Sequence, residues 1–215
     1  MMMQAEQDLT AVIWGRKTAV CAGIEECLKR NGWRTVYASA EDGGELVWDL
    51  EYDCPDCPLD LLIFGDDSDL FTHTGTIYEN QERAAVLGAF DFHVNGALYA
   101  LHTLLPRLER GKLKRICYVT TKESSNNMCY DNESYGEHMI RVARNMQARI
   151  MMNRLRPEGY TFRVFCCCTP WKQQESGKRA AAYFLKDRSR DESNLLHSDE
   201  DRLVMRDEAG REIPW

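Results

Sequence analysis

The sequence predicts a single α/β domain: a doubly wound, mostly parallel sheet in a Rossmann-like three-layer α/β/α arrangement. Short apolar runs alternate with amphipathic stretches of helical period from one end of the chain to the other. That alternation marks parallel strands joined by right-handed crossover helices. Some of the runs, "LDLLIF" (59–64) above all, are apolar throughout rather than at every second position. Strands covered by helices on both faces read this way. No internal repeat, low-complexity tract or obvious linker divides the 215 residues, so one domain spanning 1–215 is expected.

The elements follow in order. "AVIW" (11–14) is a first strand, and "AGIEECLKRNG" (22–32) a helix with Ile24, Cys27 and Leu28 on one face and Gly32 as its stop. "WRTVYAS" (33–39) is the next strand, followed by an acidic, Gly-containing loop, "LVWDL" (46–50) and the strand 59–64. Residues 79–110 are helical, with an apolar face from Ala84 to Leu108 interrupted at Pro106. "KRICYVTT" (114–121) is a strand, 134–156 a long helix and "YTFRVFCCCT" (160–169) a strand. The helix "SGKRAAAYFLKD" (176–187) and a final strand "DRLVMRD" (201–207) complete the pattern, closed by "EAGREIPW".

The composition excludes several classes. With 44% hydrophobic and 28% charged residues the chain is an ordinary globular one. A net charge of -7 argues against nucleic acid as a partner. No uninterrupted apolar run reaches transmembrane length, and "MMMQAEQDLT" is not a signal peptide, so no membrane association and a cytoplasmic location are expected. The nine cysteines are odd in number, and several sit inside apolar segments. They read as small reduced hydrophobes, with those of "CCC" (166–168) alternating between the two faces of a strand. "CPDC" (54–57) reads as a surface turn, with redox or metal chemistry as the alternative; no second ligand pair of zinc spacing exists, and no metal is expected.

Several landmarks then fall in a familiar order. Gly15 follows the first strand, and Gly23, Ile24, Leu28 and Gly32 mark the first helix. Asp49 follows "LVW", "DFHVNGALYALHTLLP" (91–106) has Gly96 and Pro106 in place, "RICYVTT" (115–121) ends in hydroxyl residues, and "SY" (134–135) opens the next helix. In this spacing the chain resembles the short-chain dehydrogenase/reductase family over residues 10–171, with 172–215 a shortened C-terminal helix and final strand. The resemblance implies an NAD(P)-binding site and an Asn, Ser, Tyr and Lys catalytic group. Carried onto this chain, the cofactor positions are Gly15, Arg16, Lys17, Ala19, Cys21, Ser39 and Asp49. The catalytic positions become His93, Thr121, Tyr135 and Met139.

The departures bear on function. The family's glycine turn reads Gly15-Arg-Lys-Thr-Ala19-Val-Cys21 here, placing a side chain where the nucleotide packs closely. Ser39 replaces the acidic residue that holds an NAD ribose, leaving Arg16 and Lys17 to favour NADP if any dinucleotide binds. Asp66 and Asp67 bring negative charge beside the phosphate path. Met139, at the lysine position, cannot hold a ribose or assist Tyr135 as a proton donor. His138 and Lys122 are the substitutes within reach, while Arg141 is expected to point elsewhere. The segment from Pro170 and Trp171 to the next helix is too short to build a substrate lid.

The resulting expectation is a degenerate family member: an impaired NAD(P) site, no cofactor or NADP(H) at most, and a binding or assembly role. A divergent NADP-dependent oxidoreductase using Thr121 and Tyr135 is one alternative. A non-redox enzyme or small-molecule sensor in the same cleft is the other. A homodimer or homotetramer through helices 84–110 and 134–156 is expected, because methionines and aliphatics nearly surround the second helix.

Overall fold

The computed structural model describes residues 9–40, 46–48, 57–65, 78, 83–130, 132–169, 172–186, 199 and 202–215. The eight strands are β1 (Thr10–Trp14), β2 (Arg34–Ala40), β3 (Leu46–Trp48), β4 (Leu61–Phe64), β5 (Arg115–Thr121), β6 (Thr161–Cys167), β7 (Met205–Arg206) and β8 (Glu212–Ile213). They form one sheet in the order β3-β2-β1-β4-β5-β6-β7-β8. Every pairing from β2 through β7 is parallel, whereas β3 and β8 attach antiparallel at the two edges. The helices are α1 (Ala19–Arg30), α2 (Arg83–Phe90), α3 (Ala97–Glu109), α4 (Tyr135–Leu155) and α5 (Gln173–Phe184).

The fully apolar strands are covered on both faces, as their composition requires. Leu62 and Phe64 of β4 join Val12, Trp14, Ile116 and Tyr118 beneath α3 and α4. Leu61 and Ile63, alternating with them, join Ala11, Ile13, Cys117 and Val119 beneath α1 and α5. Cys166 belongs to the first layer and Cys167 packs against the second, so the strand alternation expected of the cysteine run holds. Seven described cysteines are free thiols, but Cys57 is disulfide-bonded, which corrects the expectation of uniformly reduced cysteines. Cys54 lies outside the described residues.

Two arginines sit in this core. Arg115 and Arg163 are at most 1% exposed. Arg115 donates to Phe184 O and Lys186 O, and Arg163 to Tyr183 O. They donate to carbonyls at the C-terminus of α5, the end where positive charge is favoured. Helices α1 and α5 meet closely: a Cβ on Gly23 would fall 2.0 Å from Gln174 O, and one on Gly177 would fall 2.0 Å from Val20 O.

Local departures from the expected boundaries have identifiable causes. Helix α1 starts earlier than 22 because Thr18 caps it, accepting from Cys21 N. The helix expected over 79–110 is described from Arg83, residues 79–82 lying outside the described residues, and it passes through a π-helical segment, Asp91–Gly96, before α3. Pro106 does not interrupt α3, which runs on to Glu109 with the ring exposed in its final turn. By length and composition Arg83–Glu109 is apolar enough to cross a bilayer. Here Ala97, Ala100, Leu101, Leu104 and Leu108 pack one side of it on the sheet. The final strand is only Met205–Arg206 and is followed by an unforeseen hairpin to β8. Asp207 organises that turn by accepting from Ala209 N and Arg211 N, and Gly210 adopts φ +78°. A two-residue strand such as β8 carries no readable period, so the sequence did not announce it.

Candidate active site

In this strand order the crevice of a doubly wound sheet lies at the C-terminal ends of β1 and β4, where the connections part to opposite sides. After β1, Gly15 adopts φ +119° and donates to Ala38 O. Arg16 and Lys17 are exposed, with Lys17 Nζ 5.0 Å from the centre of the Tyr37 ring. Ala19 is exposed, and Ser39 is half-buried at the end of β2. Cys21 is 0% exposed, and a Cβ on Gly65 would approach its sulfur to 2.6 Å. The thiol thus fills the space between α1 and the end of β4. Asp49, Asp66, Asp67, Pro170 and Trp171, singled out from the sequence, lie outside the described residues.

His93 lies in the π-helical segment, whose wider turn resets the side-chain directions of the helix around it. Its ring is T-stacked with Phe92 at 5.2 Å, and Phe92 stacks on Trp14 at 6.2 Å. Only 2% of His93 is exposed. Burial, followed by the positive charge of Arg144, Arg141 and Arg16, pushes its pKa down to about 3. The imidazole is therefore neutral at physiological pH, and three arginines from two parts of the chain converge on it.

Helix α4 supplies the rest. Ile140, Ala148, Met152 and Leu155 face the sheet. Met139, Met146 and Ile150 face outward, 55%, 58% and 52% exposed. Met139 therefore does not hold an inward position, and Tyr135 is half-buried at the first residue of the helix. The inward cation is Arg141, which had been expected to point away. It is 2% exposed, with Nη2 2.8 Å from Glu137 Oε1. Glu137 is two residues beyond Tyr135, about 200° around an α-helix. An acidic group and an inward cation spaced i, i+4 are present, but they are Glu137 and Arg141.

His138 Nδ1 lies 3.3 Å from Cys129 Sγ, and Lys122 is exposed. Arg144 Nη2 donates to Gly65 O at 3.1 Å. At the end of β5, the Thr121 hydroxyl is buried and has no hydrogen-bond partner among the described residues. Ser124 Oγ donates to Thr121 O, while Asn145 Nδ2 donates to Ser124 O. These bonds tie α4 to the strand end.

Cys21 occupies the space beside Gly65, Arg144 takes the Gly65 carbonyl, and Arg141 is paired with Glu137. A cavity of about 290 Å³ lies elsewhere, between α5 and the β7–β8 turn, lined by Tyr183, Arg206 and Glu208 among others. Among the described residues no cluster of three or more His, Cys, Asp or Glu is arranged for a metal ion. The sequence missed Glu137 and Arg141 because "SY" drew the comparison to Tyr135. The apolar period of α4 was the available signal, since the rotation that buries Ile140, Ala148 and Met152 also brings Glu137 and Arg141 inward.

No protein-family model matches the chain. An alignment of 133 positions that covers 59% of the chain is 32% identical to C-signal of Myxococcus xanthus, a short-chain dehydrogenase/reductase family protein, and spans 76% of it. Among solved structures, a Burkholderia multivorans short-chain dehydrogenase/reductase with bound NADP superposes with a TM-score of 0.70 at 13% identity. That match covers 97% of this chain and 100% of the other. The carbonyl reductase Sniffer of Caenorhabditis elegans also gives 0.70, at 12% identity, over 97% and 99% of the two chains. The structural likeness carries the fold, the C-signal match carries the kinship, and this chain belongs to the short-chain dehydrogenase/reductase family.

Proposed function

We propose that the chain binds or assembles and does not transfer hydride. The observation that supports this most is the Glu137–Arg141 pair at 2.8 Å. The carboxylate is tied to a buried guanidinium rather than to a hydroxyl acid, and a guanidinium stays protonated at all relevant pH. The family's chemistry needs a hydroxyl acid beside a cation that also holds a ribose. Here the nearby tyrosine, Tyr135, starts the helix about 200° away from Glu137. The filled space beside Gly65 supports the same reading.

The outward stripe of Met139, Met146 and Ile150, with Leu98 and Tyr99 exposed on α3, supports a homo-oligomer through α3 and α4. The buried Thr121 hydroxyl, without a hydrogen-bond partner among the described residues, favours a second reading, a divergent NADP(H)-dependent oxidoreductase.

Thermal-shift and fluorescence titrations with NADH and NADPH separate the two. A ligand that binds only the folded state must raise stability as its concentration rises. No shift with either nucleotide at millimolar concentration is expected. A concentration-dependent shift with NADPH, followed by carbonyl-dependent consumption of it, would overturn the non-catalytic reading.

A further inference from the structure

Cys166 and Cys168 bring two sulfurs together where β6 ends. Their Sγ atoms are 3.2 Å apart, with Cys166 buried and Cys168 half-buried. Cys167 between them packs against the opposite layer, so it takes no part in the pair. The ladder with β5 ends at Thr121–Cys167. Beyond it, Cys168 N and Thr169 N both donate to Glu208 Oε1, at 2.8 and 3.0 Å. The same oxygen accepts from Ser176 Oγ of α5 at 2.9 Å. One carboxylate of the β7–β8 turn thus clamps the end of β6 to the first turns of α5.

We propose that Cys166 and Cys168 form a redox-active Cys-x-Cys dithiol, closed to a disulfide by a small-molecule disulfide and opened by small-molecule thiols. In the first step the Cys168 thiolate attacks one sulfur of the small disulfide, expelling one thiolate and leaving a mixed disulfide. Cys166, its proton passing to the expelled thiolate, then attacks the Cys168 sulfur. The Cys166–Cys168 bond forms and the second small thiolate leaves. The protein gives up two electrons and two protons, and the small disulfide takes them up as two thiols.

The geometry gives the two cysteines different roles. Cys168 is the reachable sulfur. Its hydrogen bond with Cys166 holds the Cys168 thiol below the usual range, against burial and the carboxylates of Glu208, Asp207 and Glu123. The same bond and burial push Cys166 up. Closure requires the sulfurs to approach from 3.2 Å to about 2.05 Å. Residues i and i+2 of an extended strand lie at the far limit of disulfide span, so the bond is strained and readily reduced. Only Cys168, outside the ladder, can move, and its movement pulls on the Glu208 clamp. The redox state of the pair is thereby coupled to the junction of β6, α5 and the β7–β8 turn.

The test equilibrates the full-length chain in glutathione/glutathione disulfide mixtures, quenches with acid, alkylates in denaturant and maps peptides by tandem mass spectrometry. The Cys57 disulfide lies in a separate peptide. As the disulfide fraction rises, Cys166 and Cys168 should lose alkylation together. The peptide carrying them should be lighter by two hydrogens than its reduced form, with Cys167 still alkylated. Cys167→Ser should behave as wild type, and Cys168→Ser should leave Cys166 a thiol in the same buffers. Amide exchange at Cys168 and Thr169 should quicken in the oxidised form. Two results would overturn the proposal: both thiols staying alkylatable at every ratio, or Cys168 stopping at a glutathione adduct with Cys166 free. Both are read on the wild-type chain and do not depend on any variant folding.

Discussion

Glu137 and Arg141, one turn apart on α4, form an ion pair through Oε1 and Nη2 at 2.8 Å, with the arginine side chain 2% exposed and the glutamate side chain 21%. Nε of the same guanidinium donates to that oxygen at 2.9 Å. This pair anchors a fixed positive charge near His93 on the inner face of α4.

Removing the carboxylate beside a buried guanidinium is costly. Glu137→Gln should lower unfolding stability by about 2–3 kcal/mol, near the low end for buried pairs because the carboxylate keeps some solvent contact. Urea denaturation measures it through the midpoint at unchanged slope. A loss under about 0.5 kcal/mol would place the pair among ordinary surface bridges.

His93 should make the protein acid-sensitive. Its folded pKa of about 3 lies below the ordinary 6.5, so the unfolded chain binds the proton more readily. The penalty begins as pH falls through 6.5, grows down to about 3, and is constant below that. At pH 5 it amounts to about 2 kcal/mol, relative to pH 8. Stability of wild type and His93→Gln measured at both pH values should show the wild type losing that much more. Parallel curves would mean His93 is hydrated in solution.

The α1–α5 contact should tolerate no methyl group. Gly177→Ala places a Cβ 2.0 Å from Val20 O and should cost about 1–3 kcal/mol. Gly88→Ala, in α2 with no atom within 4 Å of the added carbon, should gain up to about 1 kcal/mol. For a chain of this size each kcal/mol moves Tm by roughly 2–4 °C, so calorimetry should move the two variants in opposite directions.

The outward stripe on α4 predicts association. Light scattering at micromolar concentration should give at least twice the monomer mass, and Met146→Glu with Ile150→Glu should return it to the monomer. A monomeric wild type would leave the stripe as plain surface and remove the homo-oligomer reading.

The sequence by itself determined the doubly wound sheet, because strand composition and helical period depend on which faces are covered. Apolar runs such as Leu61–Phe64 need cover on both sides, and both layers are present. The inward face of α4 was equally encoded, in the spacing of Ile140, Ala148, Met152 and Leu155. The residues opposite the sheet were not legible, because matching a motif by spacing ignores rotation: a two-residue shift turns a helical side chain by about 200°. Only the tertiary structure decided that Glu137 and Arg141, rather than Tyr135 and Met139, occupy the inner face. It also decided that one carboxylate, Glu208, joins Cys168, Thr169 and Ser176 across 32 to 40 residues of chain. Contacts of that range depend on how the layers dock, and no local pattern records docking.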